Sequence, residues 1–200
     1  KCDQCWDKFR SEELAALVWA LGKLQLGRRV PLSFLKSWYS QYVGMMSEHE
    51  PQALANGIWG LARCNAVLTI DFIEPWFERV SNVYMRATSQ EIASMVWSLG
   101  KLYMQGKLIV PPSPSFVHAF NNYFLIRKSE FSRRELVNCA WGWVTLGLLP
   151  NRDFPSLFSE EMKRFGSIDS VEMASRIDRV MVELSELAKN GGGRPTIPYP

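Results

Sequence analysis

LANGIWGLAR, residues 54–63, recurs in altered spelling as AALVWALGKL at 15–24, IASMVWSLGK at 92–101 and LVNCAWGWVT at 136–145. Each copy centres on a tryptophan, Trp19, Trp59, Trp97 or Trp141, at successive intervals of 40, 38 and 44 residues. An internal period between about 20 and 50 residues is the mark of stacked repeats, units that cannot bury their apolar faces alone. The chain is therefore read as an array and not as one irregular core.

Working outward, a second aromatic segment accompanies each copy: PLSFLKSWYSQY, TIDFIEPWFERV, SPSFVHAFNNYF and RDFPSLFSEEMK, with Phe34, Phe72, Phe116 and Phe154 in register. Four residues after each phenylalanine stands another ring, Trp38, Trp76, Phe120 or Phe158, which places both rings on one face of a helix. From Phe34 to Trp59, Phe72 to Trp97 and Phe116 to Trp141 the distance is 25 residues every time. From Trp19, Trp97 and Trp141 to the next phenylalanine it varies, at 15, 19 and 13. The constant block is one helical hairpin and the variable block a connector, where proline runs such as PPSP interrupt helix.

Helix starts fit this division. Thr88-x-x-Glu91 and Ser132-x-x-Glu135 have the pattern of capping boxes, nine residues before their tryptophans. Asp169-x-x-Glu172 repeats it ahead of a fifth, degenerate copy in which Asp178 stands for the tryptophan. The expected fold is all-α: an α-solenoid of stacked antiparallel hairpins with about nine helices. Its divisions are an extension at 1–10, a half repeat at 11–27, hairpins at about 31–66, 69–106, 114–149 and 153–188, and a tail at 189–200. Because the first unit lacks a partner helix, the chain is expected to be a fragment, or a product whose targeting segment has been removed.

On the tryptophan helix, positions five, four and one before the tryptophan and two and three after it share one side, the core side. They are Leu54, Ala55, Ile58, Leu61 and Ala62 in one copy and Ile92, Ala93, Val96, Leu99 and Gly100 in the next. A separate stripe, within about 60 degrees of arc, joins positions seven and three before the tryptophan, the tryptophan, and four after. It reads Glu12, Ala16, Trp19, Lys23; Gln52, Asn56, Trp59, Arg63; Gln90, Ser94, Trp97, Lys101; and Arg134, Asn138, Trp141, Thr145. Stacked copies line such stripes up along one surface.

An amide or hydroxyl, a tryptophan and a cation, repeated, suit single-stranded RNA. Amides read base edges splayed from a strand, and cations hold phosphates or stack on bases. Candidate RNA contacts are Lys23, Gln52, Asn56, Arg63, Gln90, Ser94, Lys101, Arg134 and Asn138. The basic turn with Arg127, Lys128 and Arg133 is a secondary candidate for phosphate, offset by Glu130 and Glu135. Trp19, Trp59, Trp97 and Trp141 either pack between hairpins or stack on bases, and packing is the commoner use of such a residue.

The best copies, PQALANGIWGLARCN at 51–65 and SQEIASMVWSLGKL at 89–102, resemble the octotricopeptide repeat of algal organelle proteins, with its PQ-x-LA-N-x-x-W core. They are similar, more loosely, to the helical repeats found beside RAP domains. The likeness spans roughly residues 11–188; the fourth copy departs at Arg133, Arg134 and Trp143, and the tail has no RAP counterpart. It implies an organelle-targeted RNA-binding solenoid of a mitochondrion or chloroplast, acting on transcripts or holding RNA within an organellar ribosome. Neighbouring proteins of such a ribonucleoprotein would be its other partners. The alternative is a helical-repeat scaffold for protein interaction, with no RNA contact.

Composition narrows the remaining classes. The 23 Lys and Arg exceed 20 Asp and Glu by only 3, so an anionic partner must be met by local charge and not by a globally basic surface. No apolar run approaches the length of a membrane span. His49 and His118 have no carboxylate or cysteine at a spacing suggesting a site, and the glycines at 191–193 lack the lysine and helix of a phosphate loop, so catalysis is not expected. Cys2 and Cys5 form C-x-x-C, but Cys64 and Cys139 lie far off inside predicted helices, so no metal and no cofactor is expected.

Overall fold

The computed structural model describes residues 6–26, 29–166 and 170–190. Among them are nine α-helices and no strand: α1 (Ser11–Lys23), α2 (Leu32–Gly44), α3 (Pro51–Arg63), α4 (Ile70–Val83), α5 (Ser89–Met104), α6 (Pro114–Arg127), α7 (Arg133–Thr145), α8 (Phe154–Lys163) and α9 (Val171–Lys189). The four tryptophan segments are α1, α3, α5 and α7, and the phenylalanine segments are α2, α4, α6 and α8. Asp169, the expected fifth cap, Cys2, Cys5 and the tail at 191–200 lie outside the described residues.

Local chemistry sets the helix ends. Thr88 Oγ1 accepts from Glu91 N at 3.2 Å while Thr88 N donates to Glu91 Oε2 at 2.8 Å, and Ser132 and Glu135 repeat the reciprocal pair at 3.4 and 2.7 Å. Each box satisfies amide groups that a helix start leaves without partners. At the other ends the chain turns left-handed, at Gln25 (φ 56°), Asn65 (φ 55°), Gly106 (φ 65°) and Gly147 (φ 67°). The amide after each then folds back on the last turn, as Ala66 N to Leu61 O at 3.1 Å and Leu148 N to Trp143 O at 3.0 Å.

Ser170 caps α9, its Oγ accepting from Met173 N at 3.3 Å. The core register keeps Asp178 at the tryptophan position: Ile177 and Val180, one before and two after it, are buried as Val96 and Leu99 are around Trp97. Six residues from its cap, as Ser94 and Asn138 stand from theirs, is Arg176.

The helices form two rows. Along one, α1 packs on α3, α3 on α5, α5 on α7 and α7 on α9; along the other, α2 packs on α4 and α4 on α6. The rings of Phe120 and Phe124 on α6 reach Phe154 on α8 at 6.1 and 5.0 Å. Between the rows lies the core, with Trp38, Trp76, Phe72, Phe154 and Phe158 almost wholly buried. Burying a large apolar side chain stabilises by roughly 1.5–3 kcal/mol each, so these rings are the main cohesion of the fold. Cys64 and Cys139 are buried free thiols in the same interior.

One hydrogen bond recurs across the rows. Trp38 Nε1 on α2 donates to Leu14 O on α1 at 2.9 Å, and Trp76 Nε1 on α4 donates to Leu54 O on α3 at 3.3 Å. Leu14 and Leu54 stand at the same position, five before their tryptophans, so one contact is used twice to seat a helix on the preceding unit. In the next unit the position is Phe120, which has no donor.

Spacing along the tryptophan row alternates. A Cβ added to Gly60 would lie 2.6 Å from the backbone of Val18, and one added to Gly142 would lie 2.5 Å from Val96 O. Gly22 and Gly100 complete the approach, their added Cβ atoms falling 2.9 Å from Arg63 Cβ and Gly142 Cα. Thus α1 with α3, and α5 with α7, are pressed together through paired glycines. Between α3 and α5 the equivalent residues are Ala62 and Ser98, and these two helices meet less extensively. The connectors bridge this looser seam at one end, where Leu68 N donates to Lys107 O at 2.9 Å and Leu68 pairs in parallel with Leu108.

Candidate nucleic-acid interface

Because the cap-to-tryptophan distance is constant, the exposed stripes of the tryptophan helices fall side by side. They line a groove of about 660 Å³ whose walls include Trp19 and Lys23 from α1, Asn56, Trp59 and Arg63 from α3, and Gln90, Ser94 and Trp97 from α5. Arg134 and Asn138 from α7 and Arg176 from α9 continue it, and the small side chains Ala55 and Ala93 form part of its lining. Seven of the nine candidate RNA contacts are thus brought together around Trp59: Lys23, Asn56, Arg63, Gln90, Ser94, Arg134 and Asn138. Gln52 is exposed in the first turn of α3, and Lys101 is half-buried late in α5; neither lines the groove.

The tryptophans pair. Trp19 and Trp59 have ring centroids 6.2 Å apart at 39°, and Trp97 and Trp141 are 6.0 Å apart at 33°. Trp19 is 38% exposed and the other three are half-buried, so the indoles pack against one another while keeping a face toward solvent. Among the described residues no ring contact joins one pair to the other. The break coincides with the looser α3–α5 seam.

Charge in the groove is one-sided. Lys23 Nζ sits 5.4 Å from the Trp19 centroid and 5.7 Å from Trp59, and Arg63 Cζ sits 5.7 Å from Trp59. A cation over an indole face is attracted by the ring quadrupole and held with its charge still accessible. Lys23, Arg63 and Arg134 are exposed. Against four lining cations stand two carboxylates, Glu91 and Glu135, both occupied in capping boxes.

Arg176 is the groove residue that the fifth copy conceals. Its Nη2 donates to Asn138 Oδ1 at 3.1 Å, and burial, followed by the positive charge of Arg134, lowers its pKa from the ordinary arginine value. The signal that finds it is the count of six from the cap at Ser170.

The secondary basic turn is otherwise engaged. Arg127 forms a fork with Glu130 at 2.6 and 2.8 Å and donates to Ala87 O at 2.8 Å, while lying over the Tyr123 ring. Lys128 pairs with Glu161 at 3.0 Å and Glu160 at 3.6 Å. Arg133 donates to Phe165 O and lies over the Phe165 ring. With donors committed to neighbouring helices, these side chains knit the turn to its surroundings, and phosphate would have to compete for them.

The histidines stand apart from the groove. His49 is buried, its Nε2 2.9 Å from Tyr42 O and its ring stacked 3.8 Å from Tyr42; burial is the main cause that lowers its pKa. His118 is exposed on α6, with Nε2 2.9 Å from Asn122 Nδ2. No group of three or more His, Cys, Asp or Glu arranged to hold a metal occurs among the described residues. No helix among them is long and apolar enough to cross a membrane. Comparison with protein-family models, curated proteins and solved structures gives no match to the chain.

Proposed function

We propose that the chain is a short α-solenoid that holds single-stranded or ribosomal RNA in the tryptophan-helix groove, as part of a larger ribonucleoprotein of a mitochondrion or chloroplast. The observation that carries this reading is the convergence of amides, half-exposed indoles and cations from five helices on one trough of about 660 Å³. Bases can stack on indole faces and present their edges to Asn56, Gln90 and Ser94, while Lys23, Arg63 and Arg134 meet phosphates. The organellar setting rests on the octotricopeptide resemblance alone. The groove is read as a binding surface.

A short array supplies few contacts, so its place is in an assembly where neighbouring proteins share the load. The test is binding of fluorescein-labelled oligo(rU) and oligo(rA) at increasing salt. The expected result is affinity that falls steeply with salt, with a slope shallower by about 0.7 for each phosphate-contacting cation removed, as in Arg63→Ala. Absence of binding at low salt by the folded protein would overturn this reading in favour of a protein-interaction scaffold.

A further inference from the structure

The alternating spacing of the tryptophan helices bears on how a strand would sit in the groove. Where Gly22 meets Gly60 and Gly100 meets Gly142, the helix backbones are too close for even a Cβ, and the indoles they carry, Trp19 with Trp59 and Trp97 with Trp141, already contact each other. Those pairs offer no space between rings. At the α3–α5 seam the glycines are replaced by Ala62 and Ser98, the helices meet less extensively, and among the described residues no ring contact joins Trp59 to Trp97, both of which line the groove. Around that gap stand Asn56, Gln90 and Ser94, with Arg63 beside Trp59 and Glu91 at the rim.

We infer that the groove takes RNA in units of two hairpins, one unpaired base entering the α3–α5 seam between Trp59 and Trp97 while the flanking phosphates lie over Lys23, Arg63 and Arg134. A flat ring is what an interstice walled by two indoles accommodates, and the amides of Asn56 and Gln90 are placed to meet its edge. The tight pairs serve as platforms whose outer faces neighbouring bases cover. Recognition is therefore centred on one seam and not spread as one equal contact per repeat. This rests on the RNA reading above, and it adds a register to it.

Single Trp→Phe variants at positions 19, 59, 97 and 141, with an oligo(rA) octamer as probe, test the register. Phenylalanine keeps a ring in each pair, and far-UV circular dichroism with melting temperature identifies any variant that has lost its fold. Alanine variants at the same four positions read the affinity: base–aromatic stacking predicts that Trp59→Ala and Trp97→Ala each weaken binding by about 5- to 100-fold, with Trp19→Ala and Trp141→Ala costing clearly less. Quenching of indole fluorescence by the octamer should fall most in Trp59→Phe and Trp97→Phe. Salt-dependent binding with equal losses at all four positions, or with quenching dominated by Trp19 and Trp141, would overturn the two-hairpin register and leave the RNA reading standing. No binding of the octamer at low salt by folded protein would overturn both.

Discussion

Arg176 Nη2 donates to Asn138 Oδ1 at 3.1 Å, so an arginine of α9 occupies the amide that α7 presents to the groove. That amide is partnered within the chain, whereas the Asn56 amide and the Ser94 hydroxyl line the groove without such a cross-helix partner among the described residues. Replacing Arg176 with methionine keeps the packing of the stem and removes the donor. The expected outcome is a groove open one position further, with RNA affinity lowered most at low salt and the salt slope reduced by about 0.7 if Arg176 meets a phosphate. A slope equal to that of the unaltered protein would assign Arg176 to closing the end only.

The paired glycines make a sharp contrast with an isolated one. Gly60→Ala and Gly142→Ala place a methyl within 2.6 Å of helix backbone, where nothing flexible can yield. Each should destabilise by about 1–3 kcal/mol, the usual cost of overpacking. Gly44, with nothing within 4 Å of an added Cβ, is at the end of α2. Gly44→Ala should be neutral or stabilise by up to about 1 kcal/mol. Urea unfolding midpoints of the three variants decide it; equal effects would contradict the close approach.

Trp38→Phe and Trp76→Phe keep a ring in each core site and delete the donor to Leu14 O or Leu54 O. Each carbonyl is already an acceptor within its own helix, so the loss is that of one buried hydrogen bond plus the vacated volume, about 1–2 kcal/mol. The third unit already carries Phe120 at this position. Phe120→Leu, which removes volume and no hydrogen bond, is the control, and thermal unfolding is the measurement.

His49 makes stability depend on pH. Its Nε2 faces a carbonyl and therefore carries the hydrogen, leaving Nδ1 to take a second proton inside the core. Burial lowers the folded-state pKa below 6.5, so the unfolded chain protonates first as the pH falls through that value. The unfolded form then binds more protons and stability drops, while above pH 6.5 this group adds no slope. The urea midpoint should fall between pH 7.5 and about 5.5, and His49→Phe should shrink that difference. An unchanged difference would acquit His49 and point to the carboxylates.

Much of this arrangement is legible in the residues because repetition supplies its own control. Four copies of one tryptophan segment, held 25 residues from a phenylalanine, separate helix from connector without any partner sequence. The groove followed from the same register, since equal distances from cap to stripe bring equal positions together. What escaped was pairwise. Nothing in a single copy says that Gly22 belongs with Gly60, because close approach is a property of two helices, and the alternation of tight and loose interfaces emerges only when positions one and three after successive tryptophans are compared. Arg176 escaped for a smaller reason: it stands six residues from the cap Ser170, while the core register through Asp178 leaves it off the stripe. Nor does charge composition announce that Lys128 and Arg127 are spoken for, since their partners at Glu161 and Glu130 are set by how hairpins meet and turn.

The bridge between Leu68 and Lys107 gives the α3–α5 seam a mechanical character. It fastens the two halves of the molecule at the ends where α3 and α5 run into their connectors, away from the capped helix starts. The glycine-locked pairs on either side behave as stiff boards, and the bridge as the spine that joins them. The seam between the boards is thus closed at three places: by this bridge, by the packing of α3 on α5, and by α4 against α6 in the other row.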